Sequence, residues 1–254
     1  MSPSSAEKVV VVTGASAGIG AALAEELAGR GALVVLAARR LEALEAVSAR
    51  AGGALVVPTD VTRRMDVERL RDAALARFGR IDAWVNNAGR GISRSIERLT
   101  DEDLDEMVRD NVKSALYGMQ VVLPHFKERR RGVIVNVSSM LSRVPLATIR
   151  SAYSAAKAAL DSLTETLRME LAREYPELRL LLVLPGVVAT DFGVNALGGG
   201  PDSRSLPGAQ TAAEVARLVA DGLWTGPVDL YTRPEGLERV LEHLRGLAGA
   251  ARPG

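Results

Sequence analysis

Tyr153 and Lys157 stand four residues apart in a stretch of helical pattern, so both side chains share one helix face. A phenol with a pKa near 10 is a reluctant base at neutral pH, and a cation beside it lowers that value by about 1–3 units. On its own, a Tyr-x-x-x-Lys pair also suits an ordinary helix surface. Two further residues change its weight. Ser139 lies at the tip of an apolar run, and Asn111 is a polar residue on an otherwise apolar helix face, where it is costly without partners. A second group sits near the start of the chain, Thr13-Gly14-x-x-x-Gly18-x-Gly20, with Ser16 and Ile19 inside it. Glycines there allow a tight turn and close approach of a ligand to bare backbone. A helix opened by such a turn offers free N–H groups and a positive dipole end to a pyrophosphate.

The elements that must position these residues follow from the pattern. Val9–Val12 is a β-branched run too short for a helix and too apolar for a wet face, which predicts a buried parallel strand. A helix over Ala21–Arg30 and a strand over Leu33–Ala38 follow. Strand, glycine turn, helix and strand make the first half of a dinucleotide-binding unit. Helices are then expected over Leu41–Ala51, from a cap at Thr62 to Phe78, and from a capping box at Thr100 and Asp103 through a long apolar face that runs from Leu104 to Leu123 and includes Asn111. Later helices begin near Ser151, at the Thr211–Glu214 capping box and at Pro234, the last running to about Leu247. Strands are expected over Ala54–Val57, Ile81–Val85, Val133–Val137, Leu178–Leu184 and Val228–Tyr231. Gly132 reads as the stop of the long helix after Arg129–Arg131. The alternation predicts an α/β class, a doubly wound, Rossmann-type, seven-stranded and mostly parallel sheet with helices on both faces. A single domain is expected over 8–247, between flexible tails at 1–7 and 248–254, with 192–210 as an irregular loop.

In such a sheet ligands bind beyond the carboxyl ends of the strands. That brings Asp60, Val61, the Asn86-Asn87-Ala88-Gly89 segment and Pro185-Gly186-Val187-Val188-Ala189-Thr190 to one crevice with the glycine turn. About 20 residues past the turn, an acid favours NAD and an arginine accommodates the extra phosphate of NADP. The tip here is Ala37-Ala38-Arg39-Arg40, so NADP(H) is expected rather than NAD(H). Composition excludes other classes. A net charge of +1 sets up no field toward nucleic acid or an anionic membrane, and no apolar run reaches the length of a membrane helix. Two histidines, His125 and His243, and no cysteine make no metal set. A polar start without an apolar signal core leads to the expectation of a soluble, cytoplasmic protein.

The motifs together resemble those of the short-chain dehydrogenase/reductase family, from about Val9 to Thr190. The resemblance implies that Asn111, Ser139, Tyr153 and Lys157 are catalytic. It also implies that Gly14, Ser16, Gly18, Ile19, Gly20, Arg39, Arg40, Asp60, Val61, Asn87, Ala88, Gly89, Tyr153, Lys157, Pro185, Gly186, Val188 and Thr190 bind cofactor. Tyr153 then acts as general acid in reduction and base in oxidation, Ser139 holds the carbonyl oxygen, and Lys157 tunes Tyr153 and bonds the nicotinamide ribose. Asn111 anchors a water that relays protons to Lys157. The substrate is expected to be a small carbonyl or secondary alcohol. Its walls would include Met140, Leu141, Val144, Leu146, Phe192, Val194 and Leu197, under a lid that Gly198-Gly199-Gly200 lets reshape. Two alternatives are a 3-oxoacyl-carrier-protein reductase, for which Arg129–Arg131 would be the docking surface, and a non-catalytic NADP-binding sensor. The resemblance further implies a homotetramer or homodimer pairing through the helices that hold Asn111 and Tyr153.

Overall fold

A computed structural model of the chain describes residues 7–250, with side chains through 248; the expected tails lie largely outside them. The chain begins with β1 (Val9–Thr13), α1 (Gly18–Gly29), β2 (Leu33–Ala38), α2 (Leu41–Arg50), β3 (Leu55–Pro58), α3 (Arg64–Phe78) and β4 (Ala83–Asn86). It continues through α4 (Asp101–Val108), α5 (Ser114–Arg129), β5 (Gly132–Val137), α6 (Ser151–Leu171), β6 (Leu178–Leu184) and β7 (Val188–Ala189). The last elements are β8 (Gln210–Thr211), α7 (Ala212–Gly222), β9 (Asp229–Tyr231) and α8 (Gly236–Ala250). Seven strands form one sheet in the order β3-β2-β1-β4-β5-β6-β9, every pair parallel. The order reverses between β1 and β4, which opens the crevice where such sheets bind ligands.

The two faces explain why the strand sequences are apolar throughout. Val10 and Val12 pack with Leu23, Leu27 and Val219 under α1 and α7. Val9 and Val11 point the other way, with Val67, Leu70, Phe126 and Leu160 under α3, α5 and α6. Consecutive residues of Val9–Val12 therefore enter opposite cores, and none of these four positions is free to be polar. Both predicted capping boxes are present, at Thr100–Asp103 and Thr211–Glu214.

Several local expectations are corrected. Thr62 does not cap α3: its hydroxyl and N–H both go to Asp60 Oδ1, at 2.7 and 3.0 Å, and Arg63 occupies the cap. The expected long helix from Thr100 is interrupted by a π-turn over Arg109–Lys113, and Leu104 is exposed. Gly132 is not the helix stop; Arg130 takes the left-handed conformation itself, φ +49°, and Gly132 opens β5. The last helix, expected to end at about Leu247, continues through Ala250. The 192–210 segment is more regular than expected. A bridge joins Leu197 to Ile92, a short 3-10 turn spans Ser203–Ser205, and β7 pairs with β8 in a second, two-stranded sheet.

Candidate active site

The glycine turn is shaped by residues from the neighbouring strand tip. Gly14 has φ +65° and Gly18 φ +57°. A Cβ on Gly14 would meet Ala88 Cα at 2.8 Å and Asn87 Nδ2 at 2.9 Å, and one on Gly20 would strike Asn87 Nδ2 and Gly14 O. Asn87 Nδ2 donates to Thr13 O at 3.0 Å and Gly14 O at 3.3 Å. Thr13 Oγ1 accepts from Asn87 N and Ala88 N, at 3.0 and 3.2 Å. The Asn86–Gly89 segment thus braces the turn from below. Asn86 is held in turn, accepting from Trp84 Nε1 and donating to Asn136 Oδ1, each at 2.8 Å.

Above this turn α1 starts with neither a side-chain cap nor an acid in its first turn. Its free N–H groups fit a phosphate. From the other side Thr190 Cγ2 lies 3.3 Å from where a Gly18 Cβ would be, so the segment after β6 closes over the turn. Val188 is buried, and Gly186 lies near Arg233. At the end of β2, Arg40 Nη2 donates to Ser16 Oγ at 3.2 Å, placing a guanidinium and a hydroxyl side by side. Arg39 lies near Asp60, whose carboxyl the Thr62 bonds and Arg39 hold below the usual range against the opposing effect of burial. Bare glycines, an uncapped helix and adjacent arginines suit a dinucleotide carrying an extra phosphate.

The four residues expected to be catalytic converge on this crevice. Ser139 lies just past β5, its Oγ accepts from Leu141 N at 3.2 Å, and its side chain is near enough to the Tyr153 phenol to favour the ionised form. Lys157 is buried one helical turn on, its Nζ donating to Val137 O at 2.8 Å and lying 5.7 Å from the Tyr153 ring centroid. Gly89 ties in the fourth residue, because a Cβ there would meet Asn111 Oδ1 at 2.7 Å and Lys157 Nζ at 3.4 Å. Asn111 sits inside the π-turn, buried to 1 % exposure. Its side chain accepts from Arg90 N at 3.2 Å and donates to Arg90 O at 2.9 Å and Met107 O at 3.0 Å. Those bonds employ it in holding the Gly89–Arg90 loop.

One electrostatic expectation is reversed. Burial pushes the Tyr153 phenol up to about 12, and the nearby Ser139 hydroxyl and the Arg150 charge offset it only in part. Burial also brings Lys157 down to about 8, its Nζ donating to Val137 O. Desolvation outweighs charge pairing at this site.

Sequence reading missed Asp161. It lies four residues beyond Lys157 on the same face of α6, buried, and accepts from Ser138 Oγ and from Ser142 Oγ, the latter at 2.6 Å. Arg143 Nε lies 3.0 Å from the same oxygen that Ser142 bonds, Oδ2, and Ser138 takes the other. Asp161 therefore grips the residues on both sides of Ser139, and its i, i+4 spacing from Lys157 was the available signal. Among the expected walls, Phe192 packs on Tyr153 with centroids 5.3 Å apart, and Leu141 and Leu197 pack beside it. Met140 and Val144 instead belong to the core with Leu182, Leu184 and Val240 of α8. Leu146 and Val194 are exposed. Among the described residues no cluster of acids and histidines could hold a metal, and His125 Nε2 accepts from Ile81 N at 3.1 Å, a structural bond.

Fold and site together define a doubly wound α/β protein with Ser139, Tyr153 and Lys157 at the mouth of its crevice. Residues 8–197 match the family described as short chain dehydrogenase. An uncharacterized oxidoreductase of Listeria monocytogenes is 38 % identical over 191 residues, covering 73 % of this chain and 76 % of that one. A short-chain dehydrogenase/reductase from Burkholderia phymatum, solved in complex with NAD, superposes with TM-score 0.85 at 28 % identity, covering 99 % of this chain and 98 % of that one. An alcohol dehydrogenase from the archaeon Thermococcus sibiricus, complexed with 5-hydroxy-NADP, gives TM-score 0.75 at 29 % identity over 89 % and 95 % of the two chains. The chain belongs to the short-chain dehydrogenase/reductase family and is an oxidoreductase of it. Among the described residues no helix is long and apolar enough to cross a membrane.

Proposed function

We propose that the protein is an NADP(H)-dependent oxidoreductase that interconverts a carbonyl and a secondary alcohol, with Tyr153 as the general acid and base. The observation that carries this reading is the convergence of Ser139, Tyr153 and Lys157 at the crevice lined by the glycine turn, with Lys157 Nζ 5.7 Å from the Tyr153 ring centroid. Gly14, Ser16, Gly18, Ile19 and Gly20 would hold the pyrophosphate. Arg39 and Arg40 would hold the 2′-phosphate, with Asp60, Val61, Asn87, Ala88 and Gly89 along the adenosine and ribose. Pro185, Gly186, Val188 and Thr190 would sit against the nicotinamide, and Tyr153 and Lys157 against its ribose. When bound, the nicotinamide supplies or accepts the hydride.

The chain's own part is to orient the substrate and move a proton. Ser139 Oγ hydrogen-bonds the carbonyl oxygen and aligns it with Tyr153 Oη. As the carbonyl carbon takes hydride, its oxygen gains charge and takes the phenolic proton. A phenol held near 12 is fully protonated at neutral pH, the state that reduction needs. Lys157, as a cation, stabilises the phenolate left behind. Asn111 holds Gly89 and Arg90 in place beside Lys157, on the route by which solvent returns the proton. The Phe192–Gln210 segment acts as the lid, with Phe192 laid on Tyr153. Cytoplasmic location and assembly as a homodimer or homotetramer through α5 and α6 belong to the same reading. For the carrier-protein alternative, Arg129 is bonded to Ile81 O and Asp82, which leaves the exposed Arg130 and Arg131 as the docking surface.

The reaction is tested by following NADPH absorbance with a panel of ketones and acyl thioesters. Turnover of ketones supports the reading; binding of NADPH without turnover of any carbonyl would return the protein to the sensor class. The cofactor assignment has its own test. Arg39→Ala with Arg40→Ala removes the charge-assisted bonds to the phosphate and is expected to raise the NADPH KM about 10- to 150-fold, leaving that for NADH nearly unchanged. Equal effects on both cofactors would reject the arginine assignment. A pH profile tests Lys157. Burial lowers it to about 8, so kcat/KM for reduction should fall as pH rises through that value and the cation is lost. A profile flat to pH 10 contradicts it.

A further inference from the structure

Three arginines lie on the substrate side of Tyr153, and two of them are neutralised by the fold. Arg90 Nη1 pairs with Glu106 at 2.5 Å, and Arg94 Nη1 with Asp103 at 3.3 Å. Arg150 is different. It immediately precedes α6, three residues before Tyr153, and is only 9 % exposed. Its Nη1 donates to Ile92 O at 3.1 Å, and its guanidinium carbon lies 6.0 Å from the Phe192 ring centroid. Among the described residues no carboxylate pairs with it, and the one titratable group that bears on it is the Tyr153 phenol, uncharged at neutral pH. Burial lowers its pKa below the usual guanidinium range, with only that partner opposing. A fold that buries a cation without an anion carries a desolvation cost that a ligand's charge would offset.

A second observation points to the same place. Ser93 Oγ is buried with no hydrogen-bond partner. A Cβ built on Gly200 would meet Ser93 Oγ at 2.8 Å and Arg150 Nη2 at 3.0 Å, so an orphan hydroxyl and an unpaired guanidinium converge beside a residue that has no side chain. The first turn of α6 carries no acid and no side-chain cap, whereas α4 and α7 are both closed by capping boxes. Its dipole therefore adds to the positive potential. The spot is continuous with the reactive phenol, because Phe192 touches both Arg150 and Tyr153.

We propose that Arg150, with Ser93, recognises a carboxylate on the substrate, making oxo acids the preferred carbonyl compounds of this enzyme. The inference rests on the carbonyl-reductase reading above. A lone planar guanidinium with an adjacent hydroxyl matches the two oxygens of a carboxylate. Phe192 covers the site as the side chain that the substrate would displace.

The experiment compares 2-oxohexanoate and 5-oxohexanoate with their methyl esters, in the native enzyme and in Arg150→Met, Arg150→Lys and Ser93→Ala. The native enzyme is expected to favour one of the acids over its ester by about 10- to 150-fold in kcat/KM. Arg150→Met should remove that preference by slowing the acid, Arg150→Lys should restore part of it, and Ser93→Ala should reduce it several-fold. Equal use of acids and esters by the native enzyme overturns the proposal, as does a parallel loss on both in Arg150→Met, which would make the arginine a clamp between loops. Calorimetric titration with 5-oxohexanoate separates this failure from failure of the reaction itself. If no carbonyl is turned over, acid binding that disappears in Arg150→Met still upholds the anion site, and absence of such binding overturns it.

Discussion

Replacing Tyr153 by phenylalanine is expected to lower kcat by about 10³- to 10⁴-fold while leaving the NADPH dissociation constant within a few-fold of native. The size follows from what the substitution removes. A positioned proton donor contributes roughly 10²–10⁴ in rate, and the ring left behind keeps the packing against Phe192. Ser139 keeps its bond from Leu141 N when the hydroxyl is removed. The fold has little to lose, since Tyr153 is surrounded by Ile92, Met107, Val112, Ala152 and Ala156, which pack equally well on a phenylalanine. Fluorescence titration with NADPH, steady-state turnover and thermal melting on the same preparation separate the effects. Near-native turnover would remove Tyr153 from the chemistry. A collapse of both binding and melting temperature would make it structural.

The parts of this architecture that were legible in the sequence are those whose signal is local and repeated. Val9–Val12 reads as a doubly buried strand because each residue enters a core, and the glycine turn reads as a ligand cradle because bare backbone has few other uses at a strand tip. The departures arise where a competing partner, near or far along the chain, decides the geometry. Thr62 carries a helix-cap side chain, but Asp60 competes for it two residues away and wins. The π-turn at Arg109–Lys113 has no pattern of its own. It accompanies the three bonds from Asn111 to Arg90 and Met107, and one extra residue per turn shifts the face that the following helix presents. β7 and β8 are two residues each, too short for any alternation to show. Asp161 could have been suspected from its spacing, yet its meaning depends on Ser138, Ser142 and Arg143, which only the fold brings to it. The unpaired state of Arg150 is likewise invisible in a sequence rich in both arginine and acids, because it is a statement about which acids are already taken.

Lys157→Met is expected to abolish turnover, by about 10³-fold or more, and at the same time to stabilise the protein. Both halves come from one fact, that an ammonium is buried at 4 % exposure with a backbone carbonyl as its hydrogen-bond acceptor. Moving its pKa from 10.5 to about 8 corresponds to about 3 kcal/mol of unfavourable burial at neutral pH. Methionine fills similar space without a charge, but leaves Val137 O without its bond from Nζ, which returns about 1 kcal/mol of the gain. The net, about 2 kcal/mol, is worth roughly 4–8 °C in melting temperature for a chain of this size. The pH dependence gives the sharper test. Between pH 8 and 10.5 the unfolded chain binds a proton at Lys157 that the folded chain has released, so native stability rises with pH across that window. Below pH 8 the lysine is charged in both states and the full penalty applies; above 10.5 it is neutral in both and the penalty is gone. The advantage of the methionine variant should therefore be greatest below pH 8 and shrink toward zero by about pH 10.5. A variant that melts lower than native at pH 7, or whose advantage does not change with pH, would show that the cation is compensated in the fold. Lys157 would then contribute to structure as well as to the tyrosine beside it. Catalysis at the expense of stability is the relation expected of a lysine kept buried for a phenolate that forms only during reaction.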